Sequence, residues 1–128
     1  MIRISALFIY PVKSLGGFAV ESATVDPFGL VGDRRFMVVD ETGRFLTQRT
    51  LPRMALIRTA LSSHSLQLAQ AGRGGVTIPL ASDPAAPLRT VSVWRSEGLL
   101  AEDAGDAAAA WLSDGLATRC RLVRIGPA

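Results

Sequence analysis

The apolar residues of this chain come in short runs, each soon stopped by a glycine, proline or aspartate turn signal. Runs this short, rich in β-branched residues, read as strands rather than helices. Residues 2–10 form the first. Residues 19–25 alternate, with Val20, Ala23 and Val25 set against Glu21, Ser22 and Thr24, and stop at Asp26-Pro27-Phe28-Gly29. Residues 35–39 are closed by Asp40-Glu41-Thr42-Gly43, a hairpin turn into residues 44–47. Residues 54–61, 66–68, 76–80, 90–94 and 121–125 continue the series. A single segment carries the helical period. Residues 106–114 are alanine-rich and put Ala108, Trp111, Leu112 and Leu116 on one face. A helix near 104–116, packed by Trp111 and Leu112 and capped by Asp103 or Asp106, follows. About nine short strands with one late α-helix predict a mainly β fold, a closed or nearly closed β-barrel. Closure would also remove the unpaired edges that so many strands create.

With 128 residues the chain is expected to form one domain spanning 1–128, long enough to bury a core. No apolar stretch approaches the ~18 residues that cross a bilayer, and the N-terminal run lacks the pattern of a signal peptide. No membrane partner is expected, and the default location is cytoplasmic. A single cysteine, Cys120, excludes an internal disulfide and a cysteine-rich metal site. Flanked by Arg119 and Arg121 in the last strand, it reads as a small apolar filler. Charge is unevenly placed: residues 1–60 hold eight basic and five acidic side chains, whereas residues 97–114 hold five acidic and none basic. The front of the chain can attract an anion. It lacks the basic stripe interleaved with aromatics that marks nucleic-acid binders, and no nucleic-acid partner is expected.

Thirteen of the fourteen basic residues are arginine, and the sole lysine is Lys13 in Tyr10-Pro11-Val12-Lys13-Ser14. An ammonium is a compact charge on a flexible stem, where guanidinium is a planar fork. Followed by Ser14-Leu15-Gly16-Gly17, it supplies a cation, a hydroxyl and open backbone, the parts of an anion contact. The plain alternative is a solvated strand end before a glycine turn. A second constellation, Gly29-Leu30-Val31-Gly32-Asp33-Arg34-Arg35-Phe36, delivers a carboxylate and two guanidinium groups at the start of a strand. Strand alternation would send Arg34 and Arg35 to opposite faces, one holding Asp33 or a loop carbonyl and the other reaching an anionic ligand. The third is Thr47-Gln48-Arg49. A structural salt bridge with solvated arginines would account for either of these two motifs alone.

The ordered set resembles a known family. Tyr10-Pro11-Val12-Lys13-Ser14 with Gly17, then Gly29-Leu30 with Gly32-Asp33-Arg34-Arg35-Phe36-Met37-Val38-Val39-Asp40, then Gly43-Arg44-Phe45-Leu46-Thr47-Gln48-Arg49 is similar to the N-terminal β-barrel domain of MOSC proteins. That domain precedes the MOSC domain in bacterial molybdenum-cofactor oxidoreductases and in the mitochondrial amidoxime-reducing component. The likeness runs on through Pro52-Arg53-Met54-Ala55-Leu56-Ile57, Val93-Trp94, residues 104–113 and Arg121-Leu122-Val123-Arg124, and is poorest over 62–88.

The resemblance implies that the cofactor lies between the barrel and the MOSC domain. Lys13 and Ser14 match the lysine and serine that contact the pterin phosphate, and Arg34 matches the arginine that approaches it. In the family a cysteine of the MOSC domain ligates molybdenum, and this chain ends about where that domain would begin. Cys120 matches no ligand position. The expectation is therefore the barrel half of a molybdenum-cofactor oxidoreductase that also shapes the substrate cleft. No residue here is assigned a catalytic or metal-ligating role, and the isolated domain is expected to hold no molybdenum cofactor and to show no activity of its own. Its implied partners are a MOSC domain, in cis or in trans, and a reductase. The alternative is a free-standing barrel that uses the Lys13/Arg34 rim for a phosphorylated ligand or a partner protein, without redox chemistry.

Overall fold

The computed structural model describes residues 6–27, 29–93 and 96–125. Among them are eleven strands, one α-helix and one 3-10 helix. The strands are β1 (Leu7–Ile9), β2 (Phe18–Val20), β3 (Val25–Asp26), β4 (Gly29–Leu30), β5 (Phe36–Asp40), β6 (Arg58–Leu61), β7 (Ser65–Ala69), β8 (Val76–Pro79), β9 (Leu88–Val93), β10 (Ser96–Asp103) and β11 (Cys120–Arg124). Helix α1 is Asp106–Leu116, and the 3-10 helix is Pro52–Leu56. The fold is mainly β with one late helix, as the runs and turn signals imply.

Among the described residues no closed barrel forms. The strands make four separate antiparallel sheets: β1-β2, β3-β4, β6-β7-β8, and the four-stranded order β5-β11-β10-β9. Many of the runs are too interrupted to carry a continuous ladder. Residues 19–25 break into the end of β2 and the start of the β3-β4 hairpin. In 54–61 the first half is a 3-10 turn entered through Pro52, whose ring fixes φ and removes a ladder donor. Residues 44–47 form no strand; the segment pairs with β5 and β9 through the single bridges Val39–Phe45 and Arg44–Ser92. Gly43 makes that approach feasible, because a Cβ there would collide with the Thr90 carbonyl. Of the first expected strand, only Leu7–Ile9 is a strand among the described residues, and positions 1–5 lie outside them.

The four-stranded sheet has a core on each face. In β5 every residue from Phe36 to Val39 is buried, so the strand reads as an unbroken apolar run. Phe36 and Val38 join Cys120 and Leu122 of β11 against Val12, Leu15, Met54, Ile57, Leu66, Leu68 and the helix. Met37, Val39 and Val123 face the other way, with Val91 and Ala101. The eight-residue strand β10 is not legible in the sequence. Its acidic, glycine-containing stretch lacks apolar alternation at its exposed end, and Leu99 and Leu100 stay 46% and 67% exposed. Pairing with β9 defines it, not pattern.

Helix α1 buries Ala108, Ala109, Leu112 and Leu116 against β11 and its neighbours. Trp111 lies at the margin rather than inside. Its indole N–H donates to the Gly74 carbonyl at 2.5 Å, while Arg73 stacks 4.3 Å from its ring and donates to its backbone carbonyl at 2.9 Å. The β7-β8 turn thus clamps the C-terminal turn of the helix with a cation, where the helix dipole favours one. Leu112→Ala should cost about 2–5 kcal/mol in chemical unfolding and Trp111→Ala distinctly less. Equal costs for the two would place Trp111 in the core after all.

Neither aspartate caps the helix by its side chain. Gly105 is the N-cap, and the Asp103 carboxylate accepts the Gly105 N–H at 2.8 Å one step earlier. Asp103 is only 4% exposed and also accepts hydrogen bonds from Arg89 of β9 and from Arg121 of β11. Arg121 goes on to Asp106 at 2.6 Å. Burial alone would raise the Asp103 pKa, but the Arg121 and Arg89 hydrogen bonds and the Gly105 amide outweigh it and hold the group at about 2, below the ordinary 3.8. A carboxylate with a depressed folded pKa stabilises the protein above its unfolded pKa, and that contribution fades as pH falls toward the folded value. At roughly 1.4 kcal/mol per unit the contribution is about 2 kcal/mol. Stability should therefore fall between about pH 4 and pH 2, and Asp103→Asn should flatten that part of the profile; an unchanged acid limb in the variant would remove Asp103 from this role.

Candidate functional site

The three motifs meet. A cleft of ≈ 520 Å³ is lined by Tyr10, Lys13, Ser14 and Leu15 from the segment after β1, by Arg34, and by Phe45 with Thr47–Thr50. Each wall has a local cause. The Val12–Leu15 turn is closed by the Leu15 N–H donating to the Val12 carbonyl at 3.2 Å, and Ser14, its second central residue, has φ 70°. Arg34 has φ 49°. Of the three non-glycine residues with left-handed backbone among those described, two line this cleft. An L-residue there costs roughly 1–2 kcal/mol, so the surrounding contacts must hold both in place.

The contacts are specific. The Tyr10 N–H donates to Asp33 Oδ1 at 2.8 Å, and Arg34 returns its own N–H to the Tyr10 carbonyl at 2.6 Å. Asp33 Oδ2 accepts from Arg34 Nη1 at 2.6 Å, and the guanidinium lies 5.3 Å from the Tyr10 ring. Lys13 Nζ sits 4.5 Å from the centre of the Phe45 ring. Partial burial lowers the Lys13 pKa first, and the like charge of Arg34 lowers it further. Two cations therefore converge closely enough to repel, in a site that already strips some water from one of them. An anion between them would offset both costs. Tyr10 and Phe45, read from sequence as strand residues, are half-buried beneath these two cations, a pairing no local pattern shows.

Arg35 takes the other role. The strand begins only at Phe36, so strand alternation does not govern Arg34 and Arg35; the tight turn before it does. Arg35 is 3% exposed, pairs with Asp26 at 3.0 Å and donates to the Leu30 carbonyl at 2.8 Å. It lies along a second, more apolar cleft of ≈ 500 Å³ with Val31, Leu61 and Leu80, rimmed by Ser62, Ser63 and His64. Four segments apart in the chain make that cleft, and no local motif announces it. His64 is exposed in the turn between β6 and β7. Cys120 is buried; burial raises its thiol pKa even though the Ser113 hydroxyl hydrogen-bonds it. No cluster of three metal-ligating side chains occurs among the described residues.

Since Ser14 bears the cost of a left-handed backbone that glycine adopts freely, Ser14→Gly should leave stability unchanged or raise it by up to about 1 kcal/mol. Unfolding in denaturant checks this, and a clear loss would mean that the hydroxyl itself holds the turn.

Comparison with known proteins gives the lineage. Residues 1–119 match the model of the MOSC N-terminal beta barrel domain. The chain is 38% identical over 130 residues to a molybdenum cofactor sulfurase of Danio rerio, covering 97% of this chain and 15% of that protein. It is 33% identical over 129 residues to the mitochondrial amidoxime-reducing component 1 of Mus musculus, covering 97% of this chain and 38% of that one. The solution structure of a protein from Bordetella bronchiseptica superposes with a TM-score of 0.65 at 23% identity, over 84% of this chain and 91% of that one, a likeness of fold. The chain thus spans well under half the length of these curated relatives. It belongs to the MOSC N-terminal beta barrel domain family.

Proposed function

We propose that the Lys13/Ser14/Arg34 cleft takes the phosphate of a pterin phosphate, the anionic end of the molybdenum cofactor, and that the chain serves as the cofactor-cradling half of a molybdenum-cofactor oxidoreductase. The observation that carries this is the convergence of the sole lysine, a hydroxyl in a strained turn and a guanidinium in one cleft. A phosphate oxygen accepts from each of these donors, and a dianion relieves the repulsion between Lys13 and Arg34. The relatives support it by name, one a molybdenum cofactor sulfurase and the other an amidoxime-reducing component.

In this reading Lys13 supplies a point charge, steadied by the Phe45 ring. Ser14 supplies a hydroxyl, and Arg34, anchored by Asp33, supplies a directional fork. When bound, the group would bring metal-centred redox chemistry. As the family resemblance implies, the metal's own ligand would be a cysteine of a MOSC domain, in cis or in trans; Cys120, buried and away from the cleft, does not take that place. This chain's residues bind and orient; substrate, location in the cytoplasm and a reductase partner belong to the whole assembly. With the cofactor held between two bodies, this chain alone should grip an anion weakly.

Titrating the labelled domain with pyrophosphate or a pterin phosphate in NMR should shift amides of residues 13–17 and 32–35 together, less strongly as salt rises. Lys13→Ala should abolish the response while melting like the parent protein. Shifts confined to other arginines, or a response unaltered in Lys13→Ala, would make Lys13 a solvated turn residue and leave the cleft without this function.

A further inference from the structure

The left-handed turn that carries Ser14 is closed by its own Leu15-to-Val12 hydrogen bond, and a side chain 34 positions away adds a second contact. Gln48 Nε2 donates to the Ser14 carbonyl at 2.8 Å. That bond engages the carbonyl of the very residue whose backbone is left-handed, at φ 70°. The backbone that carries Gln48 is wound by its neighbours. The Thr47 carbonyl accepts the N–H of Thr50 at 3.2 Å, the N–H of Leu51 at 2.9 Å and the Thr50 hydroxyl at 3.3 Å, which winds residues 47–51 into a tight turn. Three residues before Gln48, the Phe45 ring supports the Lys13 ammonium. One segment, 45–51, therefore seats both members of the Lys13-Ser14 pair, the cation by its ring and the hydroxyl-bearing turn by its carboxamide.

We propose that Gln48 is a positioning residue for anion binding, holding Ser14 in the conformation that presents its hydroxyl to the cleft; this rests on the reading of the cleft as a phosphate site. The expected ligand class is a phosphate monoester or diphosphate dianion, and Gln48 acts on it only through Ser14. A carboxamide suits the task because it donates to a carbonyl without adding charge to a cationic cleft. Glycine at position 14 would need no brace, since it enters the left-handed region without the Cβ penalty.

The test uses pyrophosphate as probe on the isotope-labelled chain, comparing the parent, Gln48→Ala, Ser14→Gly and the double variant. Gln48→Ala should weaken pyrophosphate binding about three- to tenfold, the scale of one lost neutral hydrogen bond. Before any ligand is added, it should also move the Ser14 Cα and Cβ shifts and the Leu15 amide away from their left-handed-turn values. Melting should stay close to the parent, which separates positioning from a general structural role. In the Ser14→Gly background the same Gln48→Ala change should weaken binding by a smaller factor. Parent-like binding in Gln48→Ala, or Ser14 shifts that do not move in the free variant, would overturn the proposal. If the parent itself gives no response to pyrophosphate, the cleft reading fails; the ligand-free Ser14 shifts still decide whether Gln48 sets the turn.

Discussion

Residues 10–13 and 33–36 are sewn together by five hydrogen bonds, and the site depends on that seam. The Tyr10 N–H goes to Asp33, the Arg34 N–H returns to Tyr10, the Arg35 and Phe36 N–H groups both go to Pro11, and the Lys13 N–H goes to Phe36. Proline suits the middle of this seam because only its carbonyl is used, and its missing N–H leaves no buried donor to satisfy. The seam carries the chain from the small β1-β2 sheet onto β5, the strand with core on both faces. It also fixes Lys13 and Arg34 on one rim, so the packing of the core and the convergence of charge share one set of bonds.

A second seam holds the far end. Asp103 gathers Arg89, Arg121 and the Gly105 amide, joining β9, β10, β11 and the start of α1 at a buried point. Glu102 does the same nearby, pairing with Arg124, whose guanidinium also reaches the Leu80 and Pro79 carbonyls. Arginine's fork serves both knots, since each joins several acceptors around a fixed plane. The chain's heavy arginine use thus divides by position. Arg35, Arg121 and Arg124 are structural, whereas Arg34 and Lys13 line a cleft open to solvent.

Particular residues show what is legible in the sequence and what is not. The apolar run of β5 and the alanine-rich helix are visible, since each depends on local period and propensity. β10 is not, because its pairing with β9 rather than its own sequence makes it a strand. Trp111 carries the helical period yet lies at the rim, held by Arg73 and the Gly74 carbonyl from a distant turn. Two polar members of the cleft, Lys13 and Ser14, can be singled out from residue type and spacing, whereas Arg34 is chosen over Arg35 only by the family resemblance. Their neighbours Tyr10 and Phe45 cannot be singled out, since an aromatic in an apolar run looks the same whether it packs a core or supports a cation.

By itself the sequence determined a mainly β domain with one late helix, a front half able to meet an anion, and a single lysine set apart from thirteen arginines. These follow from composition, local period and residue chemistry, which need no partner distant in the chain. Only the tertiary structure decided that the strands stop short of a closed barrel and that three separated motifs share one cleft. It also decided that Gln48 donates to the Ser14 carbonyl and that Arg35 is buried while Arg34 lines the cleft. Each of those outcomes rests on contacts between segments apart in the chain, where hydrogen bonding and burial rather than local preference choose the winner.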